Sequence, residues 1–254
     1  MAAQAGVVEL GDSYTRGMHL FNGGGGFIVW GVFVSVAVGV TAYIEKKRRE
    51  AWEAWARSTG WRYTTLLSGM VGDLRGGPFG RGRSRNTRHV VRGTYDGLPA
   101  ISFHYRYTTG SGKNRTTHHH HVCAVTIGHA RFPLTELSRE NWATRMLEDF
   151  QFEDARFNNE WRVTGQSRRF AHDLVHPRAM EWLMGRSFPS FDTMWFEDNA
   201  IWISRSGSMD PDEVGFYLEP LVAFAQTMPR FLVEGVGGPS PLGVTPTGFT
   251  AATD

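Results

Sequence analysis

Residues 89–108 read HVVRGTYDGLPAISFHYRYT, and this stretch decides the fold of the chain. Asp96-Gly97 is a strong hairpin-turn signal, and it stands between two runs that are rich in β-branched and aromatic residues. From Ile101 to Tyr107 every second residue is large and aromatic or aliphatic, which is typical of a strand with one buried face. The stretch therefore predicts an antiparallel hairpin.

The flanking segments extend this hairpin into a mixed domain. Residues 117–129 predict a third strand, and Asp198-Asn199 predicts a second hairpin. A helix is predicted to start at Ser167, with Pro177 dividing or kinking it. Helices are predicted over residues 138–147, 167–184 and 210–228. The sequence therefore predicts the α+β class, with an antiparallel β-meander, a β-hairpin and two or three packed helices.

The composition is that of an ordinary globular protein. The chain has 254 residues, of which 41% are hydrophobic and 20% charged. These values exclude wholesale disorder, a collagen-like repeat and a disulfide-stapled mini-protein. A single cysteine, Cys123, agrees with a reducing compartment.

Residues 27–44 read FIVWGVFVSVAVGVTAYI and carry no charge. A helix of this length spans about 27 Å, enough for a hydrocarbon core. The run is followed at once by EKKRR at 45–49, so the positive residues come after the apolar run and not before it, as they would in a secretory signal. The positive-inside rule then predicts a single-pass helix in the cell membrane, with the N-terminus outside and the rest of the chain in the cytoplasm.

Five segments follow from this organisation. They are an extracytoplasmic flexible tail at 1–26, a transmembrane helix at 27–44, a juxtamembrane basic helix at 45–60, a cytoplasmic α+β domain at 61–233 and a disordered tail at 234–254.

The charge is unevenly distributed. Residues 45–92 carry 12 Lys and Arg against four acids, whereas residues 93–254 carry 14 against 19. This favours an anionic lipid or a phosphate-bearing ligand as a partner of the Gly- and Arg-rich stretch; the alternative is a topology signal followed by a solvated loop. Nucleic acid is an unlikely partner because aromatic residues other than Phe79 are missing there. The candidate anion-binding residues are Arg81, Arg83, Arg85, Arg88 and Arg92.

Histidines form two further candidate sites. In the tract at 118–121, alternation places His119 and His121 on one face of a strand, where His104 of the neighbouring strand can join them. His172 and His176 are four residues apart on a predicted helix. Either group suits a divalent metal, although no carboxylate accompanies them at fixed spacing; the alternative is solvated polar positions. No cofactor is expected, and a metal remains the alternative.

Small residues recur along the predicted membrane helix. Gly31, Ser35 and Gly39 are four residues apart and form a groove that lets two helices approach closely. This predicts a homodimer through the membrane helix; the alternative is that small residues are simply common in such helices.

Two short motifs carry a family resemblance. FNNEWRV at 157–163, followed by RFAHDLVHPRAMEWLM at 169–184, resembles a pattern in uncharacterised, membrane-anchored actinobacterial proteins. The resemblance extends over residues 52–230. It implies a single-pass topology and one intracellular domain, and it transfers no catalytic residue.

Catalytic signatures are missing from the sequence. There is no phosphate-binding loop, no nucleophile elbow and no zinc-protease motif. The sequence therefore favours a membrane-tethered binding or scaffold module with an unknown ligand or protein partner. Two alternatives stay open: a metal- or phosphate-dependent enzyme at the membrane, and a peripheral domain that senses anionic lipid.

Overall fold

The structure is a computed structural model, and it describes residues 25–66, 71–139 and 149–234. The side chains of residues 25–32 and of residue 37 are not part of the description. Most of the two predicted tails and most of the predicted helix at 138–147 lie outside the described residues; Gly25 and Gly26 are helical, and Ser138 and Arg139 belong to a strand and not to the predicted helix.

Five strands follow the first helix of the described chain, and the remaining strands and helices are interspersed after them. The strands are β1 (Arg62–Thr64), β2 (Arg83–Tyr95), β3 (Leu98–Thr109), β4 (Thr116–Thr126), β5 (Phe132–Arg139), β6 (Trp161–Gly165), β7 (Thr193–Asp198) and β8 (Ala200–Ser206). The helices are α1 (Gly25–Thr59), α2 (Ala155–Glu160), α3 (Arg168–Leu174), α4 (Pro177–Gly185), α5 (Val214–Thr227) and α6 (Arg230–Val233).

All eight strands join one antiparallel sheet in the order β1-β2-β3-β4-β8-β7-β5-β6. The predicted α+β class is therefore confirmed. Both predicted hairpins are present. In the first, Asp96 and Gly97 have φ values of +46° and +79°, the left-handed pair that matches the twist of the flanking strands. In the second, Asp198 between β7 and β8 has a φ of +55°.

One face of the sheet is covered by helices. The alternating residues of this face bury their side chains against α2 to α5 and the C-terminal part of α1, and we call it the helix-covered face. Its largest buried members are Trp52, Leu137, Phe157, Trp161, Leu174, Phe196 and Phe224.

The opposite face is covered by a loop, residues 71–82, which we call the covering loop; the face is the loop-covered face. The large residues at alternate positions of β3 all point to it, as their spacing predicts. Its buried members include Leu74, Phe79, Ile101, Phe103, Tyr105, Tyr107, Trp195 and Trp202.

The predicted helix at 167–184 is divided. Ser167 caps α3 by accepting the Phe170 N–H at 3.2 Å, as predicted. α3 then ends at Leu174, and α4 begins with Pro177 at its first position. Proline has no N–H to continue the ladder and disfavours helical backbone in the residue before it, which explains the break.

The helix α1 ends at Thr59, and Gly60 follows it with a φ of +73° as a left-handed cap. Trp52 and Ala56 are each 1% exposed in the core of the helix-covered face. The chain divides into two compact units, Met1–Glu50 and Ala51–Asp254, so the described core begins before the predicted domain start at residue 61.

The predicted transmembrane segment lies within α1. Among the residues that the structure describes, no helix combines the length and the apolar character that crossing a bilayer requires.

Candidate anion-binding site

The covering loop is attached to the sheet through a buried aromatic residue. The ring centroid of Phe79 lies 4.7 Å from that of Tyr105 and 5.7 Å from that of Trp195, both in edge-on geometry. Phe79 is 1% exposed. Burying a side chain of this size contributes about 2 kcal/mol, so the loop is held as firmly as a core element.

Two glycines let the loop backbone lie directly on Trp195. A Cβ on Gly76 would come within 2.2 Å of Trp195 Cδ1, and a Cβ on Gly77 within 2.7 Å of Trp195 Cζ3. Gly77 also has a φ of +59°, a conformation that disfavours other residues. Only glycine fits at these two positions.

The amides of the loop bind two carboxylates of the sheet. The Arg75 and Gly76 N–H groups donate to Glu197 at 2.9 and 3.1 Å, and the Gly77 N–H donates to Glu136 Oε1 at 2.6 Å. Consecutive amides that converge in this way form an anion-binding nest, and here the protein's own carboxylates fill it. Burial raises the pKa of Glu197, although the amide bonds act in the opposite direction.

Exposed arginine side chains of the loop and of the start of β2 lie on the solvent side of the loop. Arg85 folds back on it, with Nη2 donating to the Gly80 carbonyl at 2.7 Å and Nε to the Arg81 carbonyl at 3.1 Å. Arg83 Nη2 donates to the Gly110 carbonyl at 2.6 Å. Arg75 is exposed, and its guanidinium has no hydrogen-bond or ion-pair partner among the described residues.

A groove of about 800 Å³ opens between the covering loop and the beginning of β5. It is lined by Gly72, Asp73, Leu74, Arg75, Gly80, Arg85, Arg131, Phe132, Pro133, Leu134, Gln166, Glu197 and Asp198. A volume of this size suits a small ligand. Three arginines from separate parts of the chain reach it, namely Arg75, Arg85 and Arg131.

The five arginines that the sequence singles out do not come together as one patch. Among them, Arg85 lines the groove. Arg88 pairs across the strands with His104, and Arg92 pairs with Ile101, whose side chain lies in the core of the loop-covered face. Burial and the charge of Arg62 lower the pKa of Arg92.

The reason for this separation is that β2 is irregular. Its register with β3 shifts twice, between Arg83 and Asn86 and between Arg88 and Val91. Each shift is a bulge that adds one residue and changes which face the following side chains occupy. Alternation along a regular strand therefore does not hold across this stretch.

Sequence reasoning did not single out Arg75 or Arg131 as site residues. Arg75 belongs to the basic stretch, but it precedes the glycines that drew attention to the loop. Arg131 is 56 positions further along the chain. No local pattern predicts that β5 lies beside the covering loop.

The histidine tract is divided between the two faces, as alternation predicts. His118 and His120 stack on Tyr107, with ring centroids at 4.8 and 5.6 Å. On the other face, His121 stacks on Trp52 at 5.4 Å, and His119 stacks on His104 at 5.3 Å.

His121 belongs to a buried polar chain. The Cys123 thiol donates to Ser102 Oγ at 3.4 Å, and Ser102 Oγ lies 2.7 Å from His121 Nε2. Burial, with smaller contributions from His104, His89 and Arg205, holds the pKa of His121 well below its usual value. The neutral ring shares a hydrogen bond with the Ser102 hydroxyl.

A hydroxyl and a thiol beside a histidine resemble the nucleophile and base of a catalytic site, but the burial of these three side chains excludes catalysis. Ser102, His121 and Cys123 are 0, 3 and 1% exposed, so no substrate reaches them in the folded protein. Burial also raises the pKa of Cys123 to about 12, which keeps the thiol protonated and unreactive. The chain serves to satisfy polar groups inside the sheet.

The predicted helical histidine pair is separated by the break between α3 and α4. His172 packs against the Phe152 ring at 4.7 Å, whereas His176 precedes α4 and its Nε2 lies 3.0 Å from the Thr227 carbonyl oxygen. Across the described ranges, no three His, Cys, Asp or Glu side chains converge as a metal site.

The predicted helix-association groove lies in α1. Ser35 is exposed, and a Cβ on Gly39 would meet nothing within 4 Å. The side-chain position of Gly31 falls outside the described residues.

No family model and no curated protein matches the chain. Among solved structures, the chain is similar to the crystal structure of the mycobacterial trehalose monomycolate transport factor A, TtfA. The TM-score is 0.52 at 13% sequence identity, over 71% of this chain and 96% of that chain. At this identity the likeness concerns the fold. A mycobacterial neighbour is consistent with the resemblance to actinobacterial proteins.

Proposed function

We propose that this protein is a membrane-tethered binding module that presents the groove beside the covering loop to an anionic ligand at the cytoplasmic surface. The observation that carries this proposal is the groove itself, because three arginines line it and its framework is fixed by buried contacts. A rigid site with exposed guanidinium groups, those of Arg75 and Arg85, is built for recognition.

The charge of the surrounding segment supports an anionic ligand. Residues 71–92 carry six arginines and one aspartate. The nearby Glu197 accepts backbone N–H groups, and Asp198 lies 3.7 Å from Arg131. The groove lining itself carries three arginines and three carboxylates, so an anion is favoured there by the exposed guanidinium groups of Arg75 and Arg85, which make no ion pair among the described residues, rather than by net charge.

The N-terminal run supports a membrane tether. It carries no charge over residues 27–44, and its described part exposes large apolar side chains on α1. Exposed side chains of this kind mark contact with a membrane or a partner. They are Phe33, Val34, Val36, Val38, Val40, Tyr43 and Ile44. The basic residues at 46–49 favour the orientation with the groove in the cytoplasm.

The fold neighbour is compatible with this proposal. TtfA is described as a transport factor, which is a role for a binding or scaffold protein. We carry over only that general role, since the likeness rests on the fold.

Alkaline carbonate extraction of membranes tests the tether. The full chain should stay in the membrane pellet, and the double variant Val36→Lys/Val40→Lys should be released, because each lysine at a helix centre costs about 3 kcal/mol in a bilayer. The matched control is Phe216→Lys, at an exposed apolar position of α5. Release of the wild-type chain would overturn the tether.

A reporter fused after Asp254 tests the orientation. A reporter that works only in the cytoplasm should be active, and a reporter that works only outside the cytoplasm should be inactive. Activity of the second reporter would contradict the proposed topology.

We also propose self-association through Gly31, Ser35 and Gly39. In a membrane-helix association assay of residues 24–48, Gly31→Ile and Gly39→Ile should both weaken the signal, and Val36→Ile should be tolerated. An unchanged signal in both glycine variants means that the groove of small residues is not an interface.

A further inference from the structure

The groove has two chemically different walls. Arg75 and Arg85 lie on the side of the covering loop, and Phe132, Pro133 and Leu134 lie on the side of β5. Phe132 is 4% exposed, while Pro133 and Leu134 are half-buried. A cationic wall beside an apolar wall suits a ligand whose anionic group is attached to a carbon chain.

The cationic wall has unused hydrogen-bonding capacity. Arg85 donates through Nε and Nη2 to loop carbonyls, so its Nη1 remains free of hydrogen bonds to any described residue. Neither Arg75 nor Arg85 forms an ion pair within the described residues. Guanidinium groups present planar, paired donors that match the oxygens of a phosphate.

The carboxylates of the groove do not compete for these arginines. Glu197 faces the loop amides, and the Asp198 carboxylate lies beside Arg131. Asp73 is exposed at the start of the loop. The nest that could have bound an anion through backbone amides is already filled, so recognition falls to the side chains.

We infer that the ligand of the groove is a phosphate monoester carrying a short apolar chain, held by Arg75 and Arg85 at the phosphate and by Pro133 and Leu134 along the chain. This inference rests on the proposed anion-binding function and names the ligand class. A lipid headgroup and a soluble phosphorylated metabolite share this chemistry.

Calorimetric titration of the full chain in phosphatidylcholine nanodiscs tests it with three probes: hexyl phosphate, hexanoate and inorganic phosphate. Hexyl phosphate should bind saturably. It should bind about tenfold more tightly than hexanoate, which has the same number of carbon atoms but a head group with a single charge and two acceptor oxygens instead of three. It should also bind about tenfold more tightly than inorganic phosphate, which lacks the apolar part.

Arg75→Gln should weaken hexyl phosphate binding about tenfold, because it removes one charged contact to the phosphate. This variant is chosen because the Arg75 side chain makes no hydrogen bond that holds the loop. The matched control is Arg178→Gln, since Arg178 is exposed on α4 on the helix-covered side. Near-ultraviolet circular dichroism, sensitive to the packed tryptophans, verifies that each variant is folded.

A second set of nanodiscs distinguishes the two sources. If the headgroup of a lipid occupies the groove, adding phosphatidic acid to the bilayer lowers the apparent affinity for hexyl phosphate. If the source is soluble, the affinity is unchanged apart from general charge screening, which phosphatidylglycerol nanodiscs reproduce. Both results support a phosphate monoester as the ligand of the groove, and they differ only in its source.

Three results overturn the inference. Equal affinity for hexanoate and hexyl phosphate, both weakened in Arg75→Gln, rejects the phosphate while the anion-binding function stands. If Arg75→Gln leaves the affinity for hexyl phosphate unchanged, the binding site is not in the groove. No binding of any probe by the folded wild-type chain rejects both the inference and the proposed function.

Discussion

The two faces of the sheet are closed in different ways. The helix-covered face is sealed by five helical segments whose buried side chains interdigitate with the strands. The loop-covered face is closed by one loop of twelve residues, which one buried phenylalanine and three backbone amides hold in place. The first arrangement leaves its polar groups sealed in the interior, whereas the second leaves a groove with arginines at its edge.

This contrast separates stability from binding within one domain. His89, His121, Ser102 and Cys123 are buried on the sealed face, where no ligand reaches them. The arginines that remain available to a ligand lie on the side that is covered by the single loop. The following predictions test this division through the free energy of unfolding, measured by denaturant titration of the full chain in neutral detergent.

The largest effect is expected on the sealed face. Trp52→Ala should lower the free energy of unfolding by about 4 kcal/mol, because it empties a site packed between His89 and His121. Trp55→Ala, three residues away and only partly buried, is the matched control and should cost about 1.5 kcal/mol. Equal costs for the two variants would mean that α1 does not contribute to the core in the way described.

The next largest effect is expected where the loop meets Trp195. Gly76→Ala should cost about 3 kcal/mol, since the new methyl group overlaps a buried ring. Gly80→Ala in the same loop has its nearest atom at 4.0 Å and should cost about 1 kcal/mol, from its φ of +73° alone. A smaller cost at Gly76 than at Gly80 would show that the loop is not held against the sheet.

A pH effect of intermediate size is expected from His121. An unfolded chain takes up a proton near the ordinary pKa of 6.5, whereas the buried ring stays neutral to lower pH, so acid favours unfolding. Between about pH 7.5 and about pH 5.5 this group should remove on the order of 1 kcal/mol of stability. Over the same pH range, the free energy of unfolding of the His121→Gln variant should fall by that much less than the free energy of unfolding of the wild-type protein. An identical pH dependence in both proteins would contradict the burial of a neutral ring.

The smallest effects are expected at the arginines of the groove. Arg85→Gln should cost under about 1 kcal/mol, because its bonds to Gly80 and Arg81 are exposed. Arg75→Gln should change stability by less than about 0.5 kcal/mol. A large cost at Arg75 would give it a structural role and weaken its assignment to a ligand.

The hairpins were predictable because turn chemistry is local. Asp96-Gly97 and Asp198-Asn199 identify their turns without any knowledge of the rest of the chain. The alternation of Ile101 to Tyr107 likewise predicted which side chains share a face. Strand β5 was missed, since Pro133 near its start argues against a strand, and the strand accommodates it at a register shift.

The groove was only partly predictable because it is assembled from distant segments. The basic stretch predicted a site near the covering loop, but the bulges in β2 direct the arginines of that strand to different places. Pairing of β5 with β7 brings Arg131 beside the loop, and no periodicity in the sequence records that pairing. The acids that fix the loop, Glu136 and Glu197, look like ordinary surface residues in the sequence.

The bonds between the covering loop and Glu197 also have a consequence for how the protein is made. Arg75 and Gly76 are separated from Glu197 by 122 and 121 positions, so the ribosome delivers the loop long before the strand that fastens it. Contacts of such long sequence separation form late in folding. We therefore expect nascent chains to expose Phe79 and the aromatic surface of β3 until β7 emerges, a period in which a chaperone would have most to protect.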